Sequence, residues 1–124
     1  MMKSEIHKPD TFLYFSYAAN LLQFQIRIYN PSAEFVSIAR LDNYRLDFIK
    51  YSRFWGGPVC TLVPTANAHV WGVIWRLHKD DMANLDNQKD IDVRKYYVKY
   101  VEVLTPYMGT FRCRTLYSKS KSFA

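Results

Sequence analysis

The feature that most constrains this chain is a succession of short runs rich in aromatic and β-branched residues, each closed by residues that favour turns. Phe12 to Tyr17 comes first (Phe-Leu-Tyr-Phe-Ser-Tyr). Glu34 to Leu41 and Tyr44 to Tyr51 follow, joined around the turn-prone pair Asp42 and Asn43. Val59 to Val63 closes on Pro64, and Val70 to Leu77 follows a short turn at Asn67 and Ala68. Tyr96 to Leu104 and Thr110 to Tyr117 read as a hairpin around Pro106 to Gly109. Runs of this kind, bounded by Gly, Pro and Asn, predict strands, about seven in all. Ten Tyr, eight Phe and three Trp in 124 residues point the same way, because rings pack well on a pleated surface. Sequential strands with short connections predict an antiparallel or mixed sheet, curled or closed into a small barrel. Gly72, inside a run, predicts a bulge or a close backbone approach.

Helices are few. Lys79 to Gln88 is the clearest, with Asp80 and Asp81 in the first turn, where negative charge suits the helix dipole, and with Met82 and Leu85 on one face. Residues 22 to 29 read two ways. Leu22, Phe24, Ile26 and Ile28 alternate with polar neighbours like a half-buried strand, which periodicity slightly favours. Asn20 is also a good N-cap, and Leu22, Ile26 and Tyr29 fit one helical face. The fold class is α+β: a small mixed or antiparallel β-barrel with one or two flanking helices. Residues 1–11 read as a loose tail, 12–117 as one domain and 118–124 as a polar tail.

A formal charge of +6 attracts anions, whether small carboxylated or phosphorylated molecules or nucleic acid. Arg112, Arg114, Lys119 and Lys121, with Phe111 and Tyr117 among them, are the strongest nucleic-acid signal. Alternation puts Arg112 and Arg114 on one strand face and Cys113 and Thr115 on the other, as any exposed strand would, so nucleic acid is not the favoured partner. No apolar run approaches the roughly 20 residues of a membrane helix and the first ten residues carry no apolar leader, so the expectation is a cytoplasmic protein with no membrane partner. Cys60 and Cys113 sit in apolar runs and suit buried, reduced thiols. Neither they nor the scattered His7, His69 and His78 have metal-ligand spacing, so no metal and no cofactor is expected. Nucleophile-elbow, phosphate-loop and dinucleotide glycine patterns are missing from the chain.

Two places carry candidate chemistry. If Asn20 caps a helix, the amides of Ala18 to Leu22 face outward at a locally positive helix start, fit for a carboxylate, a phosphate or an oxyanion. The polar run Leu85-Asp86-Asn87-Gln88-Lys89-Asp90 ends the predicted helix, and Lys89 there is either a favourable dipole partner or an anion-binding amine.

Tyr14-Phe15-Ser16-Tyr17-Ala18-Ala19-Asn20-Leu21 resembles the Tyr-Gly-Ser-Asn-Leu signature of the γ-glutamylcyclotransferases and their AIG2-like relatives. Asn30-Pro31-Ser32-Ala33, Ala39-Arg40-Leu41, Leu46-Asp47-Phe48, Trp55-Gly56-Gly57 and Val70 to Trp75 resemble the vertebrate cytosolic enzyme in order, as do Leu85 to Gln88, Tyr96 and Cys113-Arg114. The likeness covers residues 12 to 117. It implies a small barrel with flanking helices, and a helix over residues 21 to 29, which we follow over the strand reading. It further implies cyclisation of γ-glutamyl amines with release of 5-oxoproline. A glutamate takes a proton from the substrate's α-amine, which attacks the γ-carbonyl, while amides of the signature loop hold the developing charge. The ligand-binding positions so implied are Tyr17, Ala18, Ala19, Asn20, Leu21, Gly57, Lys89 and Tyr96.

This chain departs from that pattern where the chemistry lies. Lys89 stands at the position that resembles the family glutamate, followed by Asp90 instead of glycine, and Ala18 and Ala19 replace the signature glycine and serine. Unless strongly desolvated, a lysine is protonated near neutrality, so it cannot accept a proton from an amine, and it repels an ammonium. Asp86, Asp90 or a deprotonated Lys89 are the possible substitutes. The expectation is a catalytically inactive homologue that binds or sequesters a small anionic ligand, polycarboxylate or nucleotide-like, in the former substrate pocket. The alternatives are an active or altered cyclotransferase acting on a γ-glutamyl compound, and a basic interaction module for protein or nucleic acid. Pairing of two copies as a homodimer is also open.

Overall fold

The computed structural model describes residues 8–17, 30–52, 57–83 and 96–118, with the backbone alone described at 48–52, 57–60, 96 and 118. Strands β1 (Thr11–Tyr17), β2 (Glu34–Ser52), β3 (Gly57–His78), β4 (Tyr96–Leu104) and β5 (Thr110–Ser118) close into a barrel in the order β1-β3-β2-β4-β5. Neighbours pair antiparallel except β1 and β5, which run parallel and meet in register at Tyr14 and Arg114. The mixed barrel agrees with the sequence reading; among the described residues the runs read as about seven strands form five.

The correction has a physical cause. Asn43 and Asn67 do adopt the left-handed conformation, both at φ 66°, that their turn-prone side chains tolerate. They bend two long strands instead of ending them. β2 steps from Asp42 to Tyr44 while β3 steps from His69 to Pro64, and pairing resumes on the far side of this shift. The Asn67 N–H donates to the Asn43 side-chain oxygen at 3.3 Å, joining the two bends. Pro64, which cannot donate to a ladder, sits at the irregularity, where proline is tolerated. The β2–β3 arm thus curls, and Tyr44 and Leu62 reach the same apolar cluster as Leu41 and Val70.

β1 shows no alternation of polar and apolar residues because both its faces are covered. Leu13, Phe15 and Tyr17 point into the barrel with Ile74, Val101, Val103, Phe111 and Cys113. Tyr14 and Phe12 join Trp75, Leu77 and Leu116 in a second cluster on the outer face. Gly72 is where β3 crosses β1 most closely: a Cβ there would lie 2.3 Å from the Ser16 carbonyl oxygen and 2.6 Å from the Phe15 ring. The close approach expected at this glycine is therefore present, and no other residue fits without moving backbone. The β4–β5 hairpin forms as expected, with Gly109 at φ 77° in its turn and Thr105 accepting from the Met108 N–H.

After β3, Lys79–Asp81 form one 3-10 turn, capped by the His78 imidazole, which accepts from the Asp80 N–H at 3.2 Å. Met82 and Ala83 continue it as helix. The remainder of the expected helix, and residues 21 to 29, lie outside the described residues. No described helix is long and apolar enough to cross a membrane.

Candidate functional site at the mouth of the barrel

Parallel pairing of β1 and β5 fixes which end of the barrel matters. The C-terminal ends of both strands lie at the same end, and β4 begins there, with Tyr96 opposite Ser118. The topology thus brings Tyr17, the last residue of β1, and the Tyr96 backbone to one mouth, where the signature stretch begins.

The end of β1 is fastened on both sides. The Tyr17 hydroxyl donates to the Leu116 carbonyl oxygen, and Thr115 Oγ1 donates to the Phe15 carbonyl oxygen at 2.8 Å, lacing β1 to β5. On the other side the Trp75 indole N–H donates to Ser16 Oγ at 3.0 Å. All of these residues are buried. The end of β1 is thus a fixed point, as a binding site requires.

The ladder between β4 and β5 supplies the rest of the mouth. Val103 faces Phe111, Val101 faces Cys113, Lys99 faces Thr115 and Tyr97 faces Tyr117. Side chains alternate along a strand and cross-strand partners share a face, so all eight lie on the barrel's inner side. Burial deepens away from the mouth: Val103, Phe111 and Cys113 are fully enclosed, whereas Tyr97 is half exposed. Lys99 stands where the apolar interior gives way to tyrosines. Its ammonium lies over two rings, 4.9 Å from the centroid of Tyr44 and 5.6 Å from that of Tyr117. Tyr97 packs on Tyr117 with centroids 5.2 Å apart. Among the described residues no carboxylate pairs with Lys99. Sequence reasoning missed this residue. Its signal was a lysine at period two from Val101 and Val103, on the face that should be apolar.

Other sequence candidates fall elsewhere. Gly57 opens β3 at the tip of the β2–β3 arm, opposite Ser52. Ala18, Ala19, Asn20, Leu21, Asp86, Lys89 and Asp90 lie outside the described residues, as do Lys119 and Lys121. Arg112 and Arg114 share an outward face, with the Arg112 guanidinium 5.1 Å from the Tyr100 ring and Arg114 buried. Phe111 and Tyr117 lie on the inner side, so the basic and aromatic residues of β5 do not interleave on one surface. Cys113 is a free thiol enclosed in the apolar interior, and burial pushes its pKa from 9.0 up to about 12. Such a thiol is inert at neutral pH. Among the described residues no three His, Cys, Asp or Glu side chains gather as metal ligands.

No family model matches the chain. It is 38% identical over 110 residues to the gamma-glutamylcyclotransferase of Mus musculus, covering 86% of this chain and 58% of the mouse protein. It is 37% identical over 117 residues to that of Homo sapiens, covering 90% of this chain and 62% of the human protein. A solved structure described as a gamma-glutamyl cyclotransferase superposes with a TM-score of 0.78 at 36% identity, over 90% of this chain and 69% of that one. The chain spans about three fifths of the length of the curated relatives, 58% and 62%. With the superposed fold and the matched sequence in agreement, the chain belongs to the gamma-glutamylcyclotransferase family.

Proposed function

We propose that this family member binds a small anionic ligand at the mouth of its barrel and does not turn over γ-glutamyl amines. The observation that carries the reading is Lys89, which stands where the sequence resemblance assigns the family glutamate. General-base catalysis contributes roughly 100- to 10,000-fold, and a protonated amine contributes none of it. Two unit charges 4 Å apart interact by about 4 kcal/mol at an effective dielectric constant of 20, so exchanging a carboxylate for an ammonium turns attraction for a substrate amine into repulsion. Ala18 and Ala19 add to this, since one loses the conformational freedom of glycine and the other the hydroxyl of serine. The positive charge of Lys99, toward the end of the barrel at which β1 and β5 finish, supports an anionic ligand.

Family membership itself favours a second reading, an altered cyclotransferase whose base is Asp86 or Asp90. A carboxylate displaced by about 1 Å costs roughly 100-fold, so that activity would be weak. Turnover and binding measured together separate the two. The native chain is incubated with a panel of γ-glutamyl amines and dipeptides, 5-oxoproline is quantified by chromatography, and thermal stabilisation by polycarboxylates and nucleotides is recorded in parallel. Stabilisation by an anion without 5-oxoproline is the expected result. Steady release of 5-oxoproline would replace the binding reading with the catalytic one.

A further inference from the structure

We propose that Lys99, held over the rings of Tyr44 and Tyr117, is the ligand-binding cation of the barrel mouth and takes an oxyanion, a carboxylate or a phosphate. The inference rests on the reading that the ligand is anionic, and it holds whether or not that ligand is turned over.

Three observations converge on Lys99. The first is its place in the pattern. β4 turns Tyr97, Lys99, Val101 and Val103 toward the interior, and Val101 and Val103 belong to the core. A charged residue in that row breaks the alternation that specifies the strand, and such breaks are expected at functional positions. The second is its electrostatic state. Glu102, the acid on the same strand, has the opposite parity and therefore the opposite face. Arg40, Arg45, Arg76 and His78 pair with described acids, and among the described residues no acid pairs with Lys99. An ammonium has three donors and no acceptor, so donor capacity remains for a ligand.

The third is its holding. Ring faces at 4.9 Å and 5.6 Å attract the ammonium through their quadrupoles without neutralising it. They fix a charge that would otherwise wander on a four-carbon stem, and a fixed charge binds with less loss of conformational freedom. The site is open: Lys99 is partly exposed and Tyr97 half exposed. A lysine can also cover apolar surface with its stem and leave its head in water. That role needs the stem and not the charge, so glutamine, which keeps part of the stem, and arginine, which keeps the charge, tell the two apart.

The experiment titrates the native chain, Lys99→Gln and Lys99→Arg with glutarate, inorganic phosphate and adenosine monophosphate at fixed ionic strength, by calorimetry. At least one of the three is expected to bind saturably with a Kd below about 1 mM. Lys99→Gln should weaken that binding about tenfold or more, and Lys99→Arg should keep it within about threefold. Glutarate binding would assign a carboxylate ligand; phosphate or monophosphate binding would assign a phosphorylated one. In the native chain, the lysine side-chain resonance that Lys99→Arg removes should shift with the same saturation curve, a readout independent of whether Lys99→Gln folds. No saturable binding of any probe, equal affinity in native and Lys99→Gln proteins, or a Lys99 resonance unmoved by the bound probe would overturn the proposal. Release of 5-oxoproline by the native chain would defeat only the non-catalytic reading.

Discussion

The closed end of the barrel and its mouth are built from the same two strands, yet they are different materials. Within four rungs of the β4–β5 ladder the partners pass from Val103 and Phe111, through Val101 and Cys113, to Lys99 and Thr115, and finally to Tyr97 and Tyr117. The first rungs are enclosed and apolar; the last are partly open and polar. Burial of apolar surface drives folding, so the closed end should carry stability and tolerate little change. At the mouth the side chains give up packing for donors and ring faces, so substitutions there should cost little stability and alter what binds. One continuous ladder thus shows how a small fold divides its residues between the two tasks.

The sharpest way to break the closed end is Phe111→Ala. Phe111 is 2% exposed, and truncating a buried phenylalanine costs about 3–5 kcal/mol. Urea unfolding should show a large fall in midpoint, and a loss below about 1 kcal/mol would mean that the interior there is not closely packed.

Gly72→Ala tests the crossing of β1 and β3. The added methyl would meet a backbone carbonyl oxygen at 2.3 Å, so strands must move apart. Overpacking of this kind costs about 1–3 kcal/mol. Thermal melts of native and variant chains check it, and an unchanged midpoint would contradict the close approach.

Cys113 gives the interior a pH signature. Its folded pKa is raised from 9.0 to about 12, so the thiol ionises first in the unfolded chain. Below pH 9 the stabilisation is fully present; as pH rises the unfolded state holds fewer protons than the folded one, and stability falls until the folded pKa is passed. The slope approaches about 1.4 kcal/mol per pH unit. Cys113→Ala lacks this contribution, so its stability deficit against the native chain should shrink between pH 9 and 10.5 in denaturant melts. A deficit that stays constant would place the thiol in contact with solvent.

The smallest effect belongs to the mouth. Lys99→Gln should change folding stability by less than about 1 kcal/mol, the range of an exposed cation–π contact. A loss comparable with that of Phe111→Ala would erase the distinction between the two ends.

Much of this architecture could be read from the chain because local patterns and tertiary environment agree. The β4–β5 hairpin has alternating residues on both sides of a Pro-to-Gly turn, and it forms where those signals place it. β1 has no alternation, yet its short aromatic run reads as a strand, and the structure covers that strand on both faces. The long strands were less legible. Asn43 and Asn67 carry real turn conformations, but pairing between β2 and β3 survives across them because the side chain of one bend holds the backbone of the other. A contact between residues 24 positions apart is not a local signal. Lys99 escaped notice for a related reason. Its significance depends on which face of β4 is the inner one, and only the pairing with Cys113 and Thr115 decides that. The functional reading of Lys89 rests on resemblance alone, since a lysine near the end of a predicted helix is unremarkable without knowing what it replaces.

The family barrel is retained, while the position that resembles the family glutamate carries a lysine and so the opposite charge. The most direct measurement is 5-oxoproline release from γ-glutamyl amines by Lys89→Glu beside the native chain, both confirmed folded by their thermal midpoints. No release is expected from the native chain, and detectable release from the variant. Appreciable release by the native chain, unchanged or reduced in Lys89→Glu, would contradict that expectation.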